Sequence, residues 1–380
     1  MSGVASFGLE PNKALEYFKN KGLNLTYNYE EMMHEAHHKA FTVAKVTRLD
    51  LLEDINEELY RSMKSGATFD AFKKNIMPTL QKKGWWGEQT ITDPKTGETK
   101  QVYIGSRRLR NIYNTNMRVA YSVGRHKQMS GFKKAVFWRY RSALLENTRQ
   151  SHAAKHGMVK HRDDPWWSTN YPPNDWGCKC TVTAHTKSEL EGEGWSVDES
   201  THENIAGKDW AYDVGAGSKV AKLSKMDLDE KLSKLPKLKP NADYDKLSDK
   251  ELLEQFYKKA GVKKGEMFLD AINDPMIIDD SLFLDKKTKN LKIKKQDRHL
   301  FLDYLPLVLS NPDEIYLESE EGKIKKNMFK YFEIEGESVA IMAVFRYFSD
   351  KTQGATLFYA THELERRRKM KLIYQREESK

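Results

Sequence analysis

The chain has 380 residues, 39% hydrophobic and 31% charged, with two cysteines and a net charge of +9. That composition excludes a disordered chain and a disulfide-stapled scaffold, and the length exceeds one ordinary core, so two domains are expected. No apolar run approaches the ~18 residues of a membrane span, and Met1 to Lys13 lacks the regions of a signal peptide, so cytosolic synthesis and no membrane partner are expected.

Asn28 with Glu31 three residues on has the outline of a capping box. Met32, Ala36, Ala40, Val43, Leu51, Ile55, Leu59 and Met63 follow at near-helical spacing, so one long amphipathic helix is expected up to Gly66. His34, His37 and His38 sit on it, and without thiol or carboxylate partners at matching spacing they read as core or solvated residues. Thr68 caps a second helix through Phe72, Ile76 and Leu80, broken by Lys83-Gly-Trp-Trp-Gly87. Ile91 to Ile104 reads as a hairpin around Asp93-Pro-Lys-Thr-Gly97. A helix recurs from Ser106 to Met129, its Arg107, Arg108, Arg110 and Arg118 facing phosphate or water. Ala135 to Tyr140 is a strand, and Thr148 caps a short helix bearing His152 and His156.

The stretch Ser151 to Val182 concentrates three histidines, three tryptophans and both cysteines. His152 and His156, four apart, share one face of a helix, while Cys178 and Cys180, two apart, share one face of a strand. Closing that helix onto that strand gives the four N and S donors of a tetrahedral structural zinc site. The alternative is a packed loop whose histidines and cysteines are hydrogen-bonded core residues. A disulfide within Cys-x-Cys closes too small a ring.

This stretch resembles the segment that marks the Mu protein F-like head morphogenesis proteins of tailed phages. The resemblance rests on Ser151, His152, His156, Gly157, Asp163 to Trp166, Tyr171 to Asn174 and Trp176 to Cys180. It extends upstream through PNKALEYFKNKG, AFTVAKVTRLD, GWWG and IYNTNMRVAY, so that residues 1–190 form one module. It implies a protein of the phage virion head, made in the host cytoplasm and working by binding portal and major capsid proteins, with no catalysis in this module.

Residues 191–240 change composition, with GAGS at Gly215 to Ser218 and seven lysines against three acids in Ser218 to Pro240, and read as an interdomain linker or weak helix. Residues 241–380 carry 26 basic and 26 acidic side chains, so all the positive excess lies before them. A positive front half suits phage DNA, RNA or an acidic protein surface, ordinary solubility charge being the alternative.

In this last part a helix is expected around Leu247 to Tyr257 and another over Asp297 to Leu309. Strands are expected at Glu314 to Leu317, Met328 to Ile334, Val339 to Tyr347, Thr356 to Ala360 and Leu372 to Tyr374, with a basic helical stretch from His362 to Met370. Helices followed by a meander of strands make the fold class α+β.

Helix, PLVLSNPDEIYL, then strands ending in a basic stretch and Leu372-Ile-Tyr374, resembles the phage-borne barnase/EndoU/colicin/RelE-like nuclease domains over about 80 residues from Arg298 onward. The resemblance implies an RNA substrate. Metal-free RNA cleavage needs a base for the 2′-hydroxyl, a donor for the leaving oxygen and a cation for the phosphorane. His299 or His362 is expected as proton carrier, Arg346 as phosphate ligand, and Thr356 and Tyr374 as orienting hydroxyls, with no cofactor. A chain that is structural throughout, its last domain only docking to portal or coat proteins, is the competing reading. The His362-Glu363-Leu364-Glu365 run does not continue as a zinc protease helix, and no phosphate-binding glycine loop occurs.

Overall fold

A computed structural model describes residues 11–34, 36–218, 223–285, 288, 290–320, 323–347, 352–360, 364 and 368–377, with backbone alone along 352–360. Helix α1 (Asn12–Lys19) lies along α5 (Ser106–Ser130). The helices touch where Gly124 leaves room for the backbone of Ala14; a Cβ there would stand 2.8 Å from the Ala14 nitrogen. Strand β1 (Gly22–Leu23) then pairs in parallel with β2 (Ala40–Phe41).

The expected helix from Asn28 to Met63 is divided. The capping box forms, yet it caps only a single turn, Tyr29–Glu31, and α2 (Ala36–Lys39) is one turn more. Lys45 has φ of 65°, a left-handed conformation through which no helix can run. Burial of Phe41, Val43 and Val46 rewards the irregular path, and the β-branched Thr42, Val43, Val46 and Thr47 weaken the helical one. Only α3 (Leu49–Ser65) is the helix that the periodicity describes, ending on left-handed Gly66. Helix α4 (Phe69–Lys82) starts on Thr68, whose hydroxyl accepts the Ala71 N–H. Strands β3 (Gly87–Thr92) and β4 (Thr99–Ile104) form the expected hairpin.

Strand β5 (Phe137–Arg141) is the centre of a three-stranded antiparallel sheet, flanked by β6 (Val159–His161) and β7 (Thr181–His185). Between these strands run α6 (Gln150–Ala153) and α7 (Trp167–Asn170), and α8 (Lys187–Glu193) follows on a Thr186 capping box.

Residues 191–218 pack on the front half and 223–240 on the last sheet. The amide of Asp198 bonds the Val159 carbonyl at 2.8 Å, and that of Gly207 bonds Asn174 at 2.9 Å. Trp210, Tyr212 and Val214 are buried in the front core. Helix α9 (Leu228–Lys231) and the chain around it lie on the last sheet, where Leu238 and Glu333 are tied by a backbone bond of 2.9 Å.

Helix α10 (Asp249–Ala260) has a Ser248–Glu251 capping box and a left-handed Gly261. Two strands that the sequence did not announce, β8 (Glu266–Leu269) and β9 (Pro275–Ile278), come next. The helix expected over Asp297 to Leu309 is instead a run of 3-10 turns, Lys295–Tyr304, in which Gln296 and Asp297 are left-handed, followed by α11 (Leu305–Ser310). Strands β10 (Glu314–Glu320), β11 (Lys323–Ile334), β12 (Glu337–Tyr347), β13 (Thr352–Ala360) and β14 (Lys371–Gln375) complete a sheet of order β14-β10-β11-β12-β13-β9-β8. It is antiparallel except where β13 meets β9. The architecture is α+β. No helix among the described residues is long and apolar enough to cross a membrane.

One hydrophobic core runs through both halves of the molecule. At the junction the Leu25 amide bonds the Ile272 carbonyl at 3.0 Å. Nearby, Lys371 of β14 places its ammonium 2.9 Å from Glu53 and from Glu57 on α3.

Candidate functional site

The short α6 delivers His152, and the turn Asp175–Cys178, closed by a 3.0 Å bond between the Cys178 amide and the Asp175 carbonyl, delivers the thiols. Gly177 takes φ of 74° there, a conformation open to glycine. The result is a buried trio: His152 Nδ1 lies 3.7 Å from Cys178 Sγ and 3.8 Å from Cys180 Sγ. Donors at zinc-like bond lengths in a tetrahedron stand about 3.6 Å apart, so the spacing fits a metal.

The tautomer fits as well. His152 Nε2 faces the Ile205 carbonyl at 3.3 Å, which takes the N–H and leaves the Nδ1 lone pair toward the sulfurs. The hydrogen bond from Cys178 holds the Cys180 thiol below its ordinary range, with His152 and Tyr140 helping against burial. The same bond and burial push Cys178 up. One sulfur of the pair is therefore ready to be the anion that a metal needs.

His156 is not brought to the trio. Helix α6 stops at Ala153, and His156 turns its Nδ1 to the Ser142 carbonyl at 3.1 Å. Thr148 does not cap that helix either; its hydroxyl accepts the Leu145 amide, and Arg149 occupies the cap position. Among the described residues the trio would give a tetrahedral metal three donors. Arg118, Arg125 and Lys179 line a cavity of about 210 Å³ beside Cys178 and Cys180.

Of the residues expected for RNA chemistry, His299, Arg346 and Tyr374 have described side chains. His299 is buried among the 3-10 turns, its Nε2 2.7 Å from Asp245 Oδ1. Tyr374 on β14 stands opposite Ile315, and Arg346 on β12 opposite Lys325. Three interstrand steps separate β14 from β12, about 14 Å at the usual spacing, so these two do not converge. Thr356 is in register with Val344 on β12, and His362 lies outside the described residues.

A different cluster does converge. Glu314 and Tyr316 of β10, Tyr331 of β11 and Arg368 meet on one face of the sheet, all buried. Glu314 Oε2 accepts the Tyr316 hydroxyl at 2.8 Å and Arg368 Nε at 3.1 Å, and it also takes the Tyr331 hydroxyl. Burial, then Glu314, pushes both tyrosine hydroxyls up. Asn327, fully buried on the same face, leaves its Oδ1 without a hydrogen-bond partner among the described residues. The signal in the sequence was Glu314-x-Tyr316 and Phe329-x-Tyr331, period-two pairs that put acid and phenol on one face.

Two family models match the chain. Residues 53–183 match the one described as Phage Mu protein F like protein, and residues 251–375 the one described as phage-Barnase-EndoU-ColicinE5/D-RelE like nuclease2. The front is Mu F-like; the end is nuclease-like. Protein F of Escherichia phage Mu, named for capsid assembly, is 44% identical to the chain over 191 residues, 50% of this chain and 43% of that protein. The Mu-like prophage FluMu F protein of Haemophilus influenzae is 37% identical over 183 residues, 48% of this chain and 43% of that protein. The match thus spans less than half the length of these relatives. No solved structure matches. The Mu F-like model covers the metal-fitting trio, and the nuclease-like model covers Glu314, Tyr316, Tyr331 and Arg368.

Proposed function

We propose that this chain acts in phage head morphogenesis, residues 1–190 docking to portal and major capsid proteins and residues 241–380 serving as a metal-independent ribonuclease carried with the head. The observation that carries the first half is the His152–Cys178–Cys180 trio, lying inside the region similar to the capsid assembly protein. On this reading a zinc ion held by the trio stiffens the docking body, and phage DNA is a further partner of the positive front half.

For the second half, the nuclease-like match supplies the reaction class. The 2′-oxygen of RNA bonds to phosphorus as a base takes its proton. The bond from phosphorus to the 5′-oxygen breaks, and that oxygen is protonated, leaving a 2′,3′-cyclic phosphate and a 5′-hydroxyl. Arg346 remains a phosphate-binding candidate, and His299, held by Asp245, a candidate proton carrier; Thr356, His362 and Tyr374 belong to the same reading.

The experiment uses the purified full chain. Metal analysis should find zinc, co-precipitation should recover portal or coat protein, and labelled RNA should be cut in the presence of chelator. Uncut RNA together with intact capsid binding supports the second reading, a purely structural chain. What favours that reading is the complete burial of Glu314.

A further inference from the structure

The face of the sheet that holds Glu314 is closed by a ribbon from the lysine-rich run after residue 222. Met226 and Leu228 are buried against Tyr316, Phe329, Tyr331 and Met342. The Met226 amide donates to Glu314 Oε1 at 2.5 Å, and Arg368 donates to the Met226 carbonyl. Farther on, Leu238 and Pro236 bond the backbone of Glu333 at 2.9 Å each.

The ribbon is lightly held. Between residues 223 and 235 only Met226 and Leu228 are buried, and Lys225, Lys234 and Leu232 are not. A segment with so few apolar contacts opens well below the free energy of global unfolding. Beneath it sits an arrangement no hydrophobic core requires: a carboxylate, a guanidinium and two phenols, with the Asn327 side-chain oxygen unpartnered among the described residues.

The backbone of Met226 presents one donor to Glu314 and one acceptor to Arg368. A ribonucleotide presents the same pair, the 2′-hydroxyl as donor and a phosphate oxygen as acceptor. We propose that Glu314, Arg368, Tyr316 and Tyr331 form the RNA-cleaving site of the nuclease-like region, and that residues 223–238 are a displaceable cover whose Met226 backbone occupies the place of the nucleotide. This rests on the ribonuclease reading above. With the ribbon displaced, Glu314 takes the 2′-hydroxyl proton as the 2′-oxygen bonds to phosphorus, and Arg368 meets the charge that gathers on the phosphoryl oxygens. Tyr316 passes its proton to the departing 5′-oxygen and regains one from Glu314, so the site returns to its starting state. The phenols and the guanidinium suit single-stranded RNA, whose bases can stack on exposed aromatic surface.

The test compares the full chain with Leu228→Asp, which unseats the ribbon, and Met226→Pro, which deletes the amide that bonds Glu314. Neither replaces a cleaving residue. The substrate is a labelled single-stranded RNA in chelator, and ribbon release is read by trypsin cutting at Lys225, Lys231 and Lys234. At least ten-fold faster cleavage by both variants, with cyclic phosphate ends and no cutting of the all-deoxy strand, is the expected result. Adding Glu314→Gln, or Arg368→Lys should the first not fold, returns the Leu228→Asp rate to that of the unmodified chain. Equal cutting by the unmodified chain and both variants overturns the cover and leaves the ribonuclease reading standing. Cutting that survives Glu314→Gln or Arg368→Lys overturns the site. A ribbon released to trypsin with RNA intact throughout overturns the site and the ribonuclease reading together.

Discussion

Replacing Gly22 by alanine tests whether the two halves of the molecule are one body. The added Cβ would stand 2.5 Å from the Ile373 carbonyl oxygen on β14, where 3.4 Å is ordinary contact. The shortfall of about 0.9 Å falls on backbone at the junction, so no side chain can swing aside to absorb it. Overpacking of this kind costs about 1–3 kcal/mol. With an unfolding entropy of about 2.1 cal/mol/K per residue, a chain this long melting as one unit should lose roughly 1–4 °C. Calorimetry reads the shift. Hydrogen exchange at the Leu25 amide, bonded across the junction to Ile272, reads its location. Gly192→Ala is the control, because nothing stands within 4 Å of the Cβ added there. A Gly22→Ala protein with unchanged melting and an unchanged Leu25 amide would refute the close seat between β1 and β14.

Lys326 is fully buried between Asp270, at 2.7 Å, and Asp274. Lys326→Met strands two buried carboxylates and should cost about 3–5 kcal/mol in urea unfolding, most of it recovered when Asp270→Asn and Asp274→Asn are added; a single variant as stable as the parent contradicts this. Burial holds the Lys21 ammonium down to about 7 from 10.5. Between those values the unfolded chain binds a proton that the folded chain does not, so stability should rise with pH across that window, and Lys21→Met should flatten the rise. Cys178→Ser should take zinc from about one per chain to near none and lower the melting temperature, as should chelator on the parent protein. Chelator-independent melting of a zinc-free parent would remove the metal from the picture.

Local rules were legible in the sequence at some helix ends. Thr68 and Gly66 mark them because capping bonds and left-handed glycine act within one turn, while Thr148, the other expected cap, bonds Leu145 instead. Long-range packing erased other signals. The periodicity from Met32 to Val46 is real, yet those side chains fill a core along an irregular path. Strand β9 begins with Pro275 and was hidden by a residue that strands usually exclude. In the trio, the thiol pair and His152 were readable from spacing. The outward turn of His156 was not, since it depends on α6 ending after one turn. The Glu314 cluster was the least legible feature. Arg368 sits in what reads as a basic helical stretch, and only the turn before β14 brings it against Glu314 and Tyr331.

Lys371 reaches across from the last strand to two acids and an amide on a helix more than 300 positions earlier in the chain. Exchanging the tail for an unrelated one would leave Glu53 and Glu57 side by side without their cation, and Gly22 facing a stranger's carbonyl. A replacement tail would keep this junction only with a matching lysine and the same room beside Gly22. The front half, in that sense, selects what may be fused to it.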